Sequence, residues 1–463
     1  MRNALVILVL LGACLVSPVQ GEAALELLGQ TYRSDVDFPQ HWPFWGTPRA
    51  LGGTAHVFVR NIGSDRITIG DVFLEGISLK SAIALSSQKK KGFLYASSIH
   101  FSTLNAADMQ KLMNAGEPIW WKSTPPKLEP GTTAEVIIRL RSVPRVQTFR
   151  VGVYTDTQTL NADIPVVPIH PRIESISFSA ARDKVYLYFK HPEGAAQELR
   201  HVFMDGRNVT AQTQIAYDPN VSIVPAVLAL AEPLVEGSFH CYWGEYADST
   251  RASAGLRTYS GEMWYGLCGA RPGSETDFDL ARRYLRDIHD HRINVQMPTL
   301  ASSAVQSFLK TEEGQDLCEE LGIRLMPNVP GKWNTRDPVA FYLVDEPDVG
   351  EYSLVNLEEH QKAGTLAQNL FTYSEPFRET DPETPHLVNL DMTLKPFNWY
   401  VYGLVPDVFC ADPYYQNRLT TAYWSKPAEI SRYQKATYIT AVGELCQSAC
   451  APNPLFLLLQ STV

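Results

Sequence analysis

The sequence is poor in charge and in cysteine, and after its first residues it has no long apolar run. Charged residues make up 19% of the 463 positions while 45% are hydrophobic, a balance that excludes a disordered chain. The 7 cysteines are scattered, which excludes a small disulfide-stabilised scaffold. The formal net charge of -10 disfavours nucleic acid and anionic membranes as partners. We therefore expect a folded protein of several domains, with no nucleic-acid partner and no transmembrane span.

The first 22 residues have the layout of a secretory signal peptide. A positive start at Arg2 precedes an apolar run over residues 4–16, which is too short to span a bilayer and is followed by small and polar residues. Residues 11–14 also resemble a bacterial lipoprotein cleavage box, which would leave Cys14 lipid-anchored at the mature N-terminus. We favour ordinary export, because the apolar run continues past this cysteine. The prediction is a secreted or periplasmic protein, with a lipoprotein on the cell envelope as the alternative.

The region before about residue 258 is patterned as β-structure. Val136, Ile138 and Leu140 alternate with polar neighbours, which is the period of a half-buried strand. Residues 54–59 and 67–69, joined by a turn-rich segment, are predicted to form a hairpin. Short strands separated by turns favour immunoglobulin-like β-sandwiches, and we predict two such modules in succession.

After residue 260 the pattern changes to strands alternating with helices, as in a TIM-type (β/α) barrel, which needs eight parallel strands to close. The chain ends before a clear eighth strand, so the expectation is an incomplete barrel, a truncated gene product or a strand count wrong by one. Seven strands are predicted, at 263–268, 295–300, 323–329, 339–344, 387–390, 405–411 and 438–442. The predicted domains are a signal peptide at 1–22, sandwich modules at 23–167 and 168–258, and an α/β barrel catalytic domain at 259–463.

The most informative motif is the carboxylate pair Asp345-Glu346, directly after the apolar run 339–344. Such a run is typical of a buried parallel strand, and α/β barrels keep their chemistry at the carboxyl ends of these strands. Pro347 cannot continue the ladder because it lacks an N–H donor. The sequence therefore predicts two carboxylates at a strand tip, which suits acid–base catalysis.

These motifs resemble the retaining barrel glycosidases, the superfamily that contains β-galactosidases and cellulases, over about residues 260 to 450. The resemblance implies that Glu346 is the general acid/base, although Asp345 stands where that superfamily usually has Asn. It also implies that the nucleophile is Glu444, at the end of the seventh predicted strand. The segment 407–414 is similar to one in sugar-active barrels of secreted bacterial proteins. Trp333, Asp412 and Tyr414 are the expected substrate-binding residues.

The adjacent Asp345-Glu346 also resembles the N-acetylhexosaminidases that use substrate assistance. In that scheme Glu346 is again the acid, while Asp345 orients the acetamido group that attacks the anomeric carbon. The two schemes share Glu346 and differ over Glu444. The expected partner is a carbohydrate substrate, and no cofactor or metal ion is expected. A secreted carbohydrate-binding or scaffold protein with a degenerate or truncated barrel is the alternative function.

Overall fold

The computed structural model describes most of the chain in separate stretches. These are residues 24–35, 52–83, 88–90, 93–95, 104–167, 171–191, 198–259, 261–267, 277–298, 301–328, 335–347, 367–390, 396–412 and 436–458. The predicted signal peptide and Cys14 lie outside these stretches, so export and the lipid anchor stay predictions.

The first module is a β-sandwich of two antiparallel sheets with strand orders β1-β2-β9-β7 and β11-β10-β3-β4. Burial alternates along β10, so its inward side chains join those of β9 in one core. The module contains β1 (Leu25–Ser34), β2 (Gly53–Asn61), β3 (Ile67–Leu74), β4 (Ile77–Ser78), α1 (Leu79–Ala82), β5 (Gln88–Lys90), β6 (Phe93–Tyr95), α2 (Ala106–Asn114), β7 (Pro118–Thr124), β8 (Lys127–Leu128), β9 (Thr133–Leu140), β10 (Thr148–Thr155) and β11 (Thr159–Pro165).

The predicted hairpin between β2 and β3 is wrong, because the two strands lie in opposite sheets. β2 pairs with β1 and β9, whereas β3 pairs with β10, β4 and β8. The Asn61 side chain holds the connection, donating to the carbonyls of Asp65 and Leu128 and accepting from the Gly63 amide. The turn between the two strands was predicted correctly, but it leads the chain from one sheet of the sandwich to the other.

The second module is also an antiparallel sandwich, with strand orders β12-β13-β17-β16 and β15-β14-β18-β19 and a core of its own. Its strands are β12 (Arg172–Phe178), β13 (Lys184–Lys190), β14 (Leu199–Met204), β15 (Arg207–Asn208), β16 (Thr213–Ile215), β17 (Ile223–Ala229), β18 (Phe239–Tyr246) and β19 (Arg251–Arg257), with a 3-10 turn at Thr210–Gln212. The exact limits of both modules stay predictions.

The third module alternates parallel strands with helices. Its described elements are β20 (Gly266–Leu267), α3 (Phe278–Asp290), β21 (Val295–Gln296), α4 (Ser303–Leu309), α5 (Glu312–Leu321), β22 (Arg324–Leu325), β23 (Phe341–Asp345), α6 (Ala367–Thr380), β24 (His386–Leu390), α7 (Pro396–Tyr402), β25 (Val408–Ala411), α8 (Ala436–Cys450) and β26 (Leu455–Leu457). The helix boundaries follow local signals: the Asp277 side chain caps α3, and Gly322, at a φ of 65°, ends α5.

The strand pairings described in the third module are all parallel and follow the order of the chain. One run is β20-β21-β22 and the other is β23-β24-β25-β26, with a parallel bridge from Leu325 to Pro338 between them. Side chains on one face form an inner cluster that includes Met297, Tyr342 and Cys410. Those on the other face pack against α6, α7 and α8. Strands and helices thus form two layers, with α6, α7 and α8 against one face of the strands.

The seventh predicted strand, at 438–442, is wrong because this segment belongs to helix α8. Val442, Leu445, Cys446, Ala449 and Cys450 are buried, at the spacing that covers one face of a helix. The last described parallel strand is instead β26, which pairs with β25. Among the described residues, the strand that follows β25 is therefore at Leu455–Leu457 and not at 438–442.

The first module is bound to the third by polar contacts as well as by packing. The Arg33 guanidinium of β1 donates to the carbonyl oxygens of Ala451 (2.6 Å) and Ser448 (2.7 Å), at the end of α8. The Trp120 indole N–H of β7 donates to the Val401 carbonyl at 2.7 Å. These contacts satisfy backbone groups that a helix end leaves without partners.

A buried charged cluster lies in the third module where it meets the sandwiches. Arg378 Nε donates to Asp407 Oδ2 at 3.1 Å, and the same oxygen accepts from the His386 amide at 2.9 Å. Burial, and then the positive charge of Arg378, lowers the pKa of the His386 imidazole to about 3. Neither ring nitrogen of His386 makes a hydrogen bond with a described residue. The imidazole is therefore neutral at physiological pH.

Candidate functional site

The carboxyl ends of β24 and β25 bring two polar side chains to the inner face of the parallel strands. Leu387 and Cys410 belong to the inner cluster. Asn389 follows Leu387 by two positions and Asp412 follows Cys410 by two, so strand alternation directs both side chains inward. Asn389 and Asp412 are buried. The inner face thus changes from apolar to polar where the strands end.

A β-bulge in β23 decides which carboxylate joins them. The pairing of β23 with β24 shifts by one residue between Tyr342 and Val344. Leu343 and Val344 both pack into the outer layer, whereas Tyr342 lies in the inner cluster. The extra residue returns Asp345 to the side of Tyr342. The strand tip therefore presents Asp345 on the same face of the strands as Tyr342.

Four side chains form a continuous hydrogen-bonded row across the three strand tips. The Tyr342 hydroxyl donates to Asp345 Oδ1 at 2.5 Å. Asn389 Nδ2 donates to the same oxygen at 3.0 Å and to Asp412 Oδ2 at 3.1 Å. Asp345 is exposed and Asp412 is 4% exposed, so the row runs from solvent into the interior. One amide thus holds two carboxylates in fixed positions.

Tyr342 serves this row as a hydrogen-bond donor. Burial and the negative charge of Asp345 both raise the pKa of its hydroxyl above the usual value, so the phenol stays protonated. A carboxylate held by two donors has its remaining lone pairs oriented in a fixed direction. Asp345, the exposed member, can therefore accept a hydrogen bond from a ligand in a defined geometry.

Glu346 lies just beyond the strand and adopts a left-handed backbone, with a φ of 44°. Its amide donates to the Asn389 carbonyl at 2.9 Å, which ties this strained residue to β24. The side chain is half-buried. Asp345 and Glu346 therefore lie together at the strand tip, as the sequence predicts. Asp345 is the last residue of the strand, whereas Glu346 has a left-handed backbone.

Glu444 does not occupy a strand end. It is exposed on α8, and its negative charge acts on Lys190 of the second sandwich. The reason is the helical register of α8, which buries the neighbouring Leu445 and turns Glu444 outward. The prediction that Glu444 ends a strand is therefore wrong, and its expected role as nucleophile depended on that position.

Of the expected substrate-binding residues, Asp412 joins the row, while Trp333 and Tyr414 lie outside the described stretches. Tyr342 and Asn389 are additional site residues that sequence reasoning missed. A signal for Asn389 was present, because an amide in the otherwise apolar segment 387–390 needs a buried partner.

The described stretches contain no group of three or more acidic, histidine or cysteine side chains suited to a metal ion. Within them, Cys446 and Cys450 are free thiols. None of the described helices is both long and apolar enough to cross a membrane.

No protein-family model matches the chain, and no curated protein matches it. Among solved structures it is similar to an FMN-binding β-glucuronidase from Facaelibacterium prausnitzii L2-6, at 10% identity and a TM-score of 0.26, over 94% of this chain and 80% of that one. It is also similar to the I9-I11 tandem of titin, at 8% identity and a TM-score of 0.15, over 47% of this chain. The match spans 65% of the titin tandem, just under two thirds of its length.

Domains 5-6 of the S-layer protein SbsC are similar at 12% identity and a TM-score of 0.16, over 44% of this chain and 88% of that one. TM-scores of this size establish neither a shared fold nor a shared activity. The functional interpretation therefore depends on the residues at the strand ends.

Proposed function

We propose that the chain is an exported glycoside hydrolase that acts on 2-acetamido sugars by substrate assistance. The observation that carries this proposal is the position of Asp345, held by Tyr342 and Asn389 and followed directly by Glu346. Substrate assistance needs one acid and one fixed carboxylate, and it needs no protein nucleophile. Glu444 lies on a helix facing Lys190, so it is not placed to be the second carboxylate of the retaining scheme.

In the proposed reaction Asp345 accepts a hydrogen bond from the acetamido N–H of the substrate. The acetamido carbonyl oxygen then forms a bond to the anomeric carbon as the bond from that carbon to the leaving oxygen breaks. Glu346 supplies the proton that the leaving oxygen takes up. Water then attacks the anomeric carbon, opening the cyclic intermediate and returning a proton to Glu346. No cofactor takes part.

The proposal includes a (β/α) barrel around this site. Parallel strands in chain order and an inner cluster shared by β21 to β26 support it. The ends of the series also approach each other, since a Cβ on Gly266 of β20 would lie 3.3 Å from the Phe456 ring of β26. A barrel would place the carboxyl ends of all its strands, and with them Asp345 and Asp412, at one mouth.

The test compares nitrophenyl glycosides that carry a 2-acetamido group with those that carry a 2-hydroxyl. We expect turnover only of the former, and Asp345→Asn should lower it by about 10²–10⁴-fold, the usual contribution of one positioned group. Asp290→Asn, an exposed carboxylate at the end of α3, is the matched control and should retain full turnover.

Glu346→Gln is tested on substrates with poor leaving groups, because a nitrophenolate leaves with little help from an acid. Full activity of Glu346→Gln on such a substrate would remove the acid role. Equal turnover of 2-hydroxyl glycosides would argue against substrate assistance. Sugar binding without turnover in the unsubstituted protein would favour the alternative, a non-catalytic carbohydrate-binding protein.

A further inference from the structure

A serine, a histidine and an aspartate of the second sandwich form a hydrogen-bonded row that shares no residue with the row at the strand tips. The Ser238 hydroxyl lies 2.8 Å from His240 Nε2, and His240 Nδ1 lies 2.6 Å from Asp205 Oδ2. Ser238 directly precedes β18 and His240 is its second residue, so both side chains lie on one face of the strand. These are the contacts of a nucleophile, a general base and a carboxylate that orients the base.

The carboxylate of this row is held in place from its other side. Asp205 Oδ1 accepts a hydrogen bond from the Cys241 amide at 2.8 Å and another from the Thr133 hydroxyl of the first sandwich at 2.8 Å. Asp205 Oδ2 is thereby directed at His240. In the neutral imidazole, Nδ1 then carries the proton that is donated to Asp205, and Nε2 presents its lone pair to Ser238.

The Ser238 hydroxyl has three acceptors within reach, and one of them is a base. The Val235 carbonyl oxygen lies 2.5 Å away and Thr258 Oγ1 lies 3.4 Å away, besides His240 Nε2. A carbonyl or a hydroxyl does not take up a proton near neutral pH, whereas an imidazole does. The bond to Val235 can hold the hydroxyl at rest, but a proton released during nucleophilic attack passes to His240.

Access from solvent distinguishes this row from a second one of similar composition in the first sandwich. The members of that second row are Thr54, His56 and Glu135. They are between 2% and 4% exposed, so a substrate has no access to them. The side chains of His240 and Asp205 are 18% and 23% exposed, and Ser238 is half-buried. The row at Ser238 can therefore meet a substrate.

A backbone donor for the negative charge of an acyl transfer follows the serine directly. The Thr258 amide of β19 donates to the Ser238 carbonyl at 2.8 Å, and Phe239 forms the next pair of this ladder. Hydrogen-bonded and non-hydrogen-bonded pairs alternate, so the Phe239 amide points away from β19. On its other side, β14 ends before it reaches this residue. The amide after a nucleophilic serine is a common donor to the oxyanion.

We propose a second activity for this chain, the hydrolysis of small carboxylic esters, with Ser238 and His240 as catalytic residues and Asp205 as a positioning residue. Ser238 Oγ forms a bond to the ester carbonyl carbon as its proton passes to His240 Nε2. The bond from that carbon to the alkoxy oxygen then breaks, and this oxygen takes the proton from His240. Water attacks the acyl-serine next, giving a proton to His240, which returns it to Ser238 Oγ as the acid leaves.

The room beside the serine limits the size of the acyl group. Gly237 lies against the third module, where a Cβ added to it would be 2.7 Å from the Pro382 carbonyl oxygen. Long acyl chains therefore find little space on this side of Ser238. We expect acetyl esters and similar short esters to be the substrates.

The first test is labelling of the full chain by an alkyl fluorophosphonate, whose phosphorus forms a bond to an activated serine oxygen as fluoride leaves. Peptide mass spectrometry should find the label on Ser238. Ser238→Ala should remove it, and His240→Gln should slow labelling by about 10²–10⁴-fold, the usual contribution of a general base. Ser177→Ala, at an exposed serine of β12, is the matched control and should leave labelling of Ser238 unchanged.

Asp205→Asn tests the positioning role. Asparagine also tolerates the left-handed backbone found here, a φ of 49°, and keeps an oxygen for the Cys241 amide. It cannot accept through the atom that faces His240, so the imidazole loses its orientation. With p-nitrophenyl acetate, kcat should fall by about 10²-fold or more while KM stays the same. A merely structural role would lower the unfolding temperature and leave kcat of the folded protein unchanged.

A folded, unsubstituted chain that carries no label on Ser238 would overturn the proposal, whatever the variants do. Ester hydrolysis that persists undiminished in Ser238→Ala would overturn it as well. Ester hydrolysis that persists in Glu346→Gln, and is lost in Ser238→Ala, would support a second activity that does not depend on the proposed glycosidase site.

Discussion

Tyr342 and Asp345 lie three residues apart on β23, yet they face the same side and share a hydrogen bond of 2.5 Å. The β-bulge between them makes this contact, because regular alternation would send Asp345 to the opposite face. The contact makes the orientation of the proposed substrate-binding carboxylate depend on a buried phenol.

Tyr342→Phe should lower kcat on 2-acetamido nitrophenyl glycosides by tenfold or more. A hydrogen bond to a charged group is worth about 1.5–3 kcal/mol, and its loss frees Asp345 to rotate. Initial rates over a range of substrate concentrations measure kcat and KM separately. Tyr154→Phe, at an exposed hydroxyl on β10, is the control. An unchanged kcat in Tyr342→Phe would mean that the phenol does not position Asp345.

Asn389→Asp should destabilise the third module strongly. The change would replace the shared donor by a third carboxylate between Asp345 and Asp412, and burying an uncompensated charge costs about 3–5 kcal/mol. Urea unfolding at pH 7 measures the loss. Asn161→Asp, on the exposed side of β11, should change stability by less than about 0.5 kcal/mol, and an equal loss there would contradict this account.

His386 should make the protein less stable in acid. Its pKa is about 3 in the folded chain against a usual 6.5, so between these values the unfolded chain binds more protons. The free energy of unfolding therefore rises with pH across this window and falls as the pH drops through it, by several kcal/mol in all. The positive charges of Arg378 and Arg257 add to the burial that causes this shift, and the charge of Asp407 opposes it.

His386→Phe tests this source of acid sensitivity. The imidazole makes no side-chain hydrogen bond with a described residue, so a phenyl ring removes the titration without breaking a bond. Denaturant unfolding at intervals from pH 7 to pH 4 should show a shallower slope in the variant. Parallel slopes for the two proteins would show that other groups cause the acid sensitivity.

Glu444→Gln should leave hydrolysis unchanged. The residue is exposed on α8 and acts on Lys190, so it has no place in the proposed reaction. Steady-state rates on 2-acetamido glycosides check this. Glu346→Gln, measured on a substrate with a poor leaving group, is the comparison variant that should lose activity. A loss of about 10²-fold or more in Glu444→Gln would return it to the reaction and favour the two-carboxylate scheme.

The parts of the structure that local chemistry determines were predictable from the sequence. Gly322 at the end of α5 is such a case, because a cap depends on a few adjacent residues. The change from sandwich modules to alternating strands and helices was predictable for the same reason. The strand ending at Asp345 was expected because its apolar run is uninterrupted.

Of the two failures, one came from too short a sequence window and the other from contacts between distant residues. The segment 438–442 is apolar and β-branched enough for a strand, and only its continuation through Leu445 and Cys446 shows the helical period. The bulge in β23 has no local signal, since it arises from pairing with β24. For that reason the sequence could indicate a carboxylate pair but could not decide that Asp345 is the inward member.

The hydrogen bonds from Arg33 to the end of α8 also have a consequence during protein synthesis. Arg33 and its acceptor Ala451 are separated by 418 residues, so the ribosome adds the second roughly 20–80 s after the first, at about 5–20 residues per second. The first sandwich has its own core and can fold in that interval, but the surface around Arg33 lacks its acceptors at the end of α8 until that helix emerges. Nascent chains stalled before α8 should therefore expose this surface to chaperones, and released full-length chains should not.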